Sequence, residues 1–139
     1  MPLSTSLDHI TIVTDDFEAS RPVYDAVLGA LGLSPTIDYE DPEGEPEDND
    51  TVAAIGYGTS SQRTIVWLVA GLSPTSGAHV ALAVDSRDQV ILACQAATDA
   101  GAQVKQPPRD WESDQLNYYG TQIADSNGNI LEVITRGGH

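Results

Sequence analysis

At 139 residues the chain is long enough for one domain with a real core and too short for two independent ones. Its 21 Asp and Glu against 6 Lys and Arg, a formal charge of −15, exclude nucleic acid and anionic membrane surfaces as partners, because both need clustered basic side chains. A strongly anionic substrate is disfavoured too, unless the few arginines sit in the pocket.

The one cysteine, Cys94, excludes an intrachain disulfide, and the opening MPLSTSLDH has neither the basic region nor the apolar run of a signal peptide. No stretch approaches the ~20 apolar residues that span a bilayer. A cytoplasmic protein is expected. Residues Leu7 to Val13 alternate and predict a strand, with His9, Thr11 and Val13 on one face and Asp8, Ile10 and Ile12 on the other. Asp15 and Glu18 have the spacing of a capping box. They open a helix with Phe17, Tyr24, Val27, Leu28 and Leu31 on one stripe, ended by Gly29 and Gly32. Pro22 requires this helix to start late or to kink. The run from Asp38 to Asp50, DYEDPEGEPEDND, reads as an exposed acidic loop, and it lacks the ligand spacing of a calcium loop.

Two strands follow, around Val52 to Tyr57 and Thr64 to Val69, and GLSPTSG turns the chain. At His79 the opening pattern returns: histidine, an alternating apolar strand, an acidic residue (Asp15, then Asp85), an amphipathic helix and a glycine (Gly32, then Gly101). In this second copy His79, Ala81 and Ala83 share a face. Ser86 and Gln89 have capping-box spacing, and Val90, Cys94 and Ala97 form the helix stripe. QPPRDW reads as a loop, Tyr118 to Ala124 as a strand, DSNGN as a tight turn and Ile130 to Ile134 as the closing strand. The expected fold is α+β: one domain over 1–139 built of two tandem βαβββ modules, 7–70 and 78–135. Together they form a cupped mixed sheet with the helices outside.

Alternation also aims the candidate ligands. Ile10 and Ile12, then Val80, Leu82 and Val84, then Leu131 and Val133, should face the helices. His9, His79 and Glu132 then turn to the open side. Two imidazoles and a carboxylate are a plausible set for a divalent ion. Taken singly, each has an ordinary reading as a core or surface residue of a strand; the matched histidines favour the joint one.

Three segments carry a resemblance: LDHITIVTDDFEASRPVYDAVLGALGL at the start, HVALAVDS in the middle and YYGTQIADSNGNILEVI at the end. They resemble the vicinal oxygen chelate superfamily, which includes glyoxalase I, extradiol dioxygenases, fosfomycin-resistance thiol transferases and bleomycin-resistance binding proteins. The resemblance implies a metal site of His9, His79 and Glu132, with Glu132 also in the catalytic role. One divalent ion, Zn, Ni, Mn or Fe, would be the cofactor. It also implies a homodimer, with each site formed within one chain or shared between two. The family's fourth ligand, as in glyoxalase I, is a glutamate where this chain has Trp67, whose indole N–H only donates; that argues against lactoylglutathione lyase activity. Extradiol dioxygenases use a further histidine that is not spare here, and a phosphonate needs more cationic charge than six basic residues easily supply.

Pocket candidates are Trp67, Asn117, Tyr118, Tyr119 and Arg109. Of the two tyrosines only one can face inward, and it either hydrogen-bonds a substrate or simply packs. Arg109 either pairs with a substrate anion or makes a surface salt bridge. The expected function is a metal-dependent lyase, isomerase or dioxygenase-like enzyme on a small oxygenated molecule chelated by the metal. The alternative is a metal-free binder of the bleomycin-resistance type, which the acidic charge and the aromatic residues Trp67 and Trp111 would suit.

Overall fold

The computed structural model describes residues 7–38, 53–60, 63–71, 77–112 and 117–136. The first half comprises β1 (Ile10–Thr14), α1 (Phe17–Ala30), β2 (Ser34–Asp38), β3 (Ala54–Ser60) and β4 (Arg63–Ala70). The second repeats the order with β5 (His79–Ala83), α2 (Arg87–Asp99), β6 (Gln103–Glu112), β7 (Asn117–Ala124) and β8 (Ile130–Thr135). The α+β class and the doubled strand–helix–three-strand order are as expected. The strands form two four-stranded mixed sheets, β1-β4-β3-β2 and β5-β8-β7-β6, one from each half. In each, the first strand runs parallel to the last and the other pairs are antiparallel. Most of the acidic run expected as a loop, and most of the GLSPTSG turn, lie outside the described residues.

Helix α1 begins one residue later than the Asp15 spacing suggests. Asp16 is the N-cap, its carboxylate accepting from the Ala19 N–H at 3.2 Å. The helix runs through Pro22, so the late start expected from that proline does not occur. The buried stripe of Phe17, Val23, Tyr24, Val27 and Leu28 holds the helix despite the lost donor. Gly32, at φ +88°, turns the chain out, and Leu33 N–H closes on Leu28 O at 2.9 Å. Helix α2 has the expected capping box of Ser86 and Gln89. Its buried residues are Val90, Ala93 and Ala97, while Cys94 is half-buried. The small Ala93 and Ala97 let α2 lie close to its neighbours, and the two helices pack on each other. A single apolar cluster joins Ile12, Val27, Leu28, Ile55, Tyr57 and Leu68 of the first half to Val90, Ala93, Ile123, Leu131 and Val133 of the second.

One expected loop is a strand. QPPRDW lies within β6, the outer strand of the second sheet. Pro107 and Pro108 sit where the β6–β7 register breaks, between Gln106 and Arg109. An edge strand with a bulge tolerates proline because the missing N–H is not needed by a second neighbour.

The turn 125–129 ties the halves together. Asp125 Oδ1 accepts the N–H groups of Asn127 and Asn129 at 2.8 and 3.0 Å, and Asp125 Oδ2 accepts the Tyr24 hydroxyl of α1 at 2.9 Å. Asn129, 2% exposed, donates its amide to Val13 O at 3.0 Å and accepts the Ala78 N–H at 2.7 Å. Asn127 Oδ1 accepts the Asp15 N–H. No helix among the described residues is long and apolar enough to cross a membrane.

Candidate functional site

On β8, Leu131 and Val133 enter the core. The strand period then turns Glu132 to the face away from the helices, yet Glu132 is only 5% exposed. Two neighbours enclose it. His79 Nε2 lies 2.9 Å from Oε1, and the Tyr118 hydroxyl donates to Oε2 at 2.9 Å. The register explains both: Ala81 stands opposite Glu132 on β5 and Gln122 opposite it on β7, with His79 two residues before Ala81 and Tyr118 four before Gln122. Between Tyr118 and Gln122 on β7, Gly120 lies against β8, where an added Cβ would meet Ile134 Cγ2 at 2.7 Å and Val133 O at 3.0 Å. Burial first, then the hydrogen bond and charge of Glu132, raise the Tyr118 hydroxyl above its ordinary pKa, against a lowering influence from Arg136. No Lys or Arg among the described residues is in ion-pair range of Glu132.

Beside this cluster Trp111, opposite Tyr118 on β6, stacks on the Tyr118 ring with centroids 6.3 Å apart. Trp111 Nε1 donates to Gly120 O at 3.3 Å. Arg109 lies over the Trp111 ring at 4.2 Å and Arg136 over Tyr118 at 5.3 Å. Tyr118 is therefore the tyrosine on the open face. Tyr119 turns the other way, in phase with Thr121 and Ile123, under the Arg87 guanidinium at 4.5 Å. Asn117, opposite Glu112 at the start of β7, shares the phase of Tyr119. Trp111 and Arg136 complete the open face, and sequence reasoning did not place them there. Recognising β6 as a strand would have put Trp111 in register with Tyr118, and Arg136 continues the phase of Glu132.

The first half presents its own open hollow, lined by Asp8, His9, Arg63, Thr64 and Trp67. Trp67 stands between Thr11 and Gly56, and the register shifts between Tyr57 and Gly58, so that Gly58 meets Thr64. His9 Nδ1 lies 2.7 Å from Asp8 Oδ1. That contact, with Arg63 beyond it, holds the exposed Asp8 carboxyl below its usual range.

The structure thus brings His79 and Glu132 together and leaves His9 apart from them. No three His, Cys, Asp or Glu side chains converge to hold a metal among the described residues. As a donor set, the imidazole nitrogen and carboxylate oxygen of His79 and Glu132 fit two positions of one divalent ion. Among the described residues no third His, Cys, Asp or Glu joins them.

A family model, described as the Glyoxalase/Bleomycin resistance protein/Dioxygenase superfamily, matches residues 6–133. The chain belongs to that superfamily. Among solved structures it is similar to a glyoxalase/bleomycin resistance protein from Albidiferax ferrireducens, at 20% identity and TM-score 0.66, covering 93% of this chain and 98% of that one. It is similar to the fosfomycin resistance protein FosX from Mesorhizobium loti, at 16% identity and TM-score 0.61, covering 96% and 93%. Against a glyoxalase I variant from Zea mays the identity is 16% and the TM-score 0.62, covering 92% of this chain and 46% of that longer one. At these identities the likeness is one of fold. No curated protein matches the chain.

Proposed function

We propose that this protein is a divalent-metal-dependent lyase, isomerase or dioxygenase-like enzyme acting on a small oxygenated organic molecule. It works as a homodimer in which His9 of one subunit joins His79 and Glu132 of the other. The observation that carries this reading is the state of Glu132. A carboxylate this buried costs free energy unless it is well paired, and here it is met by an imidazole and a phenol on the face away from the helices. A bound ion would supply Lewis-acid stabilisation of negative charge on two neighbouring substrate oxygens. Zn, Ni, Mn and Fe all suit the ligand types.

The chain's own groups do the rest. Tyr118 fixes one oxygen of Glu132 and leaves the other turned to His79. Glu132 is the group of the site at which a proton could be held, and Tyr118 is placed to hydrogen-bond a substrate oxygen. Trp67 walls the complementary half-site and, in place of a glutamate, supplies no carboxylate for glyoxalase I chemistry.

Metal content of protein purified without a polyhistidine tag tests this reading. One divalent ion per subunit is expected, lost in His79→Ala and in Glu132→Gln. Metal-free wild-type protein, prepared without chelator in metal-supplemented medium, would overturn it. A second reading, a metal-free binder, is favoured by the open hollow of Asp8, His9 and Trp67 in so acidic a chain. It would be supported by metal-free protein that binds a cationic aromatic compound.

A further inference from the structure

The arginines of this acidic chain divide into two groups. Arg21 pairs with Asp25 and Asp38 at 3.5 and 2.8 Å, Arg87 with Asp110 at 2.8 Å, and Arg63 lies 4.0 Å from Asp8. Arg109 and Arg136 have no carboxylate in ion-pair range among the described residues. With so large an acidic excess, carboxylates are plentiful, and two arginines without one among the described residues are unexpected. Arg136 lies over Tyr118, whose hydroxyl meets Glu132, and Arg109 lies over the neighbouring Trp111. The two rings form a single aromatic pair.

The arrangement has a chemical meaning. A guanidinium lying over a ring is held by its face and keeps N–H groups for an acceptor; Arg109 donates its Nε–H to Asp110 O at 3.4 Å and has its terminal N–H groups left. Trp111 and Tyr118 stack on each other, with one guanidinium over each ring. Tyr118 also reaches Glu132, so a molecule lying along the edges of these rings would have one end toward the cations and the other toward the carboxylate–imidazole pair. We propose that Arg109, Trp111, Tyr118 and Arg136 form a subsite for a substrate carboxylate carried on a flat, unsaturated body. The acidic surface repels anions in general, and this subsite readmits them at one place. The proposal rests on the reading of His79–Glu132 as the reacting centre, but its test does not need the metal.

Calorimetry on chelator-treated protein at low salt, with three probes of one shape, decides it: trans-cinnamate, neutral cinnamide and cationic cinnamylamine. Wild-type protein should bind cinnamate at least tenfold more tightly than cinnamide. Arg109→Gln or Arg136→Gln should each weaken cinnamate about tenfold, and the double variant should abolish the preference, since charge-assisted pairs are the strong ones. Trp111→Leu should weaken cinnamate and cinnamide alike, and Lys105→Gln, which removes a charge elsewhere, should change neither. Equal binding of cinnamate and cinnamide by the wild type, tighter binding of cinnamylamine, or unchanged affinity in both arginine variants would overturn the proposal. Metal loss in His79→Ala is read separately. Metal present in the protein as purified, without a cinnamate preference after chelation, sinks the subsite alone, and a cinnamate preference in protein that holds no metal as purified sinks the metal reading alone.

Discussion

Gly120 shows how one missing side chain shapes the open face. Its position lies between Tyr118 and Gln122 on β7, opposite Ile134, and Tyr118 from the same strand reaches Glu132. Because a Cβ there would fall 2.7 Å from Ile134 Cγ2 and 3.0 Å from a backbone carbonyl, Gly120→Ala should destabilise the fold by about 1–3 kcal/mol. It should also loosen the Tyr118–Glu132 bond. Urea denaturation reads the first effect, and the ultraviolet titration of Tyr118, set against that of Tyr118→Phe, reads the second. Unchanged stability would show that β7 and β8 shift apart at little cost. At this scale much was legible. Simple alternation aims Glu132 correctly because its neighbours Leu131 and Val133 are unambiguously apolar. It could not choose between Tyr118 and Tyr119, since both rings suit either face; the pairing with Thr135 and the Arg87 contact place Tyr119 on the helix side. Arg109 was harder still, because two preceding prolines hid the strand that carries it.

Among the elements, the turn 125–129 does the most with the fewest residues. Its asparagines reach across to β1 and the start of α1, and its aspartate receives Tyr24 from the first helix. Asn129→Ala would leave the Ala78 N–H and the Val13 carbonyl without their partner in a buried place. A loss of about 2–4 kcal/mol is expected from unsatisfied buried groups, together with faster amide exchange at Ala78. A loss below about 0.5 kcal/mol would mean that water replaces the side chain freely. The sequence marks DSNGN as a tight turn from its composition alone. Its grip on the other half was not readable, because bonds between residues more than a hundred positions apart leave no local pattern. The same limit explains the sheets. The order of elements within each half follows from the repeated pattern, whereas the pairing of each first strand with its half's last one, β1 with β4 and β5 with β8, joins residues some fifty positions apart.

At the scale of the whole molecule, the two halves offer complementary pieces: His9 and Trp67 line a hollow of the first, and His79 pairs with Glu132 in the second. If a second copy joins them, His9→Ala and Glu132→Gln should each lose metal alone. Mixing the two variants after reversible denaturation should restore part of it, because each mixed dimer holds one site of intact residues. Failure to recover metal, with a monomeric mass at micromolar concentration, would place the site within one chain or remove it. A further consequence lies at the far border of the second sheet. Pro107 and Pro108 leave gaps in the donor row of its outermost strand. A foreign strand arriving there finds no regular ladder to extend, so this rim resists templated growth into fibres, and the residues that obscured β6 from inspection also guard it against polymerisation.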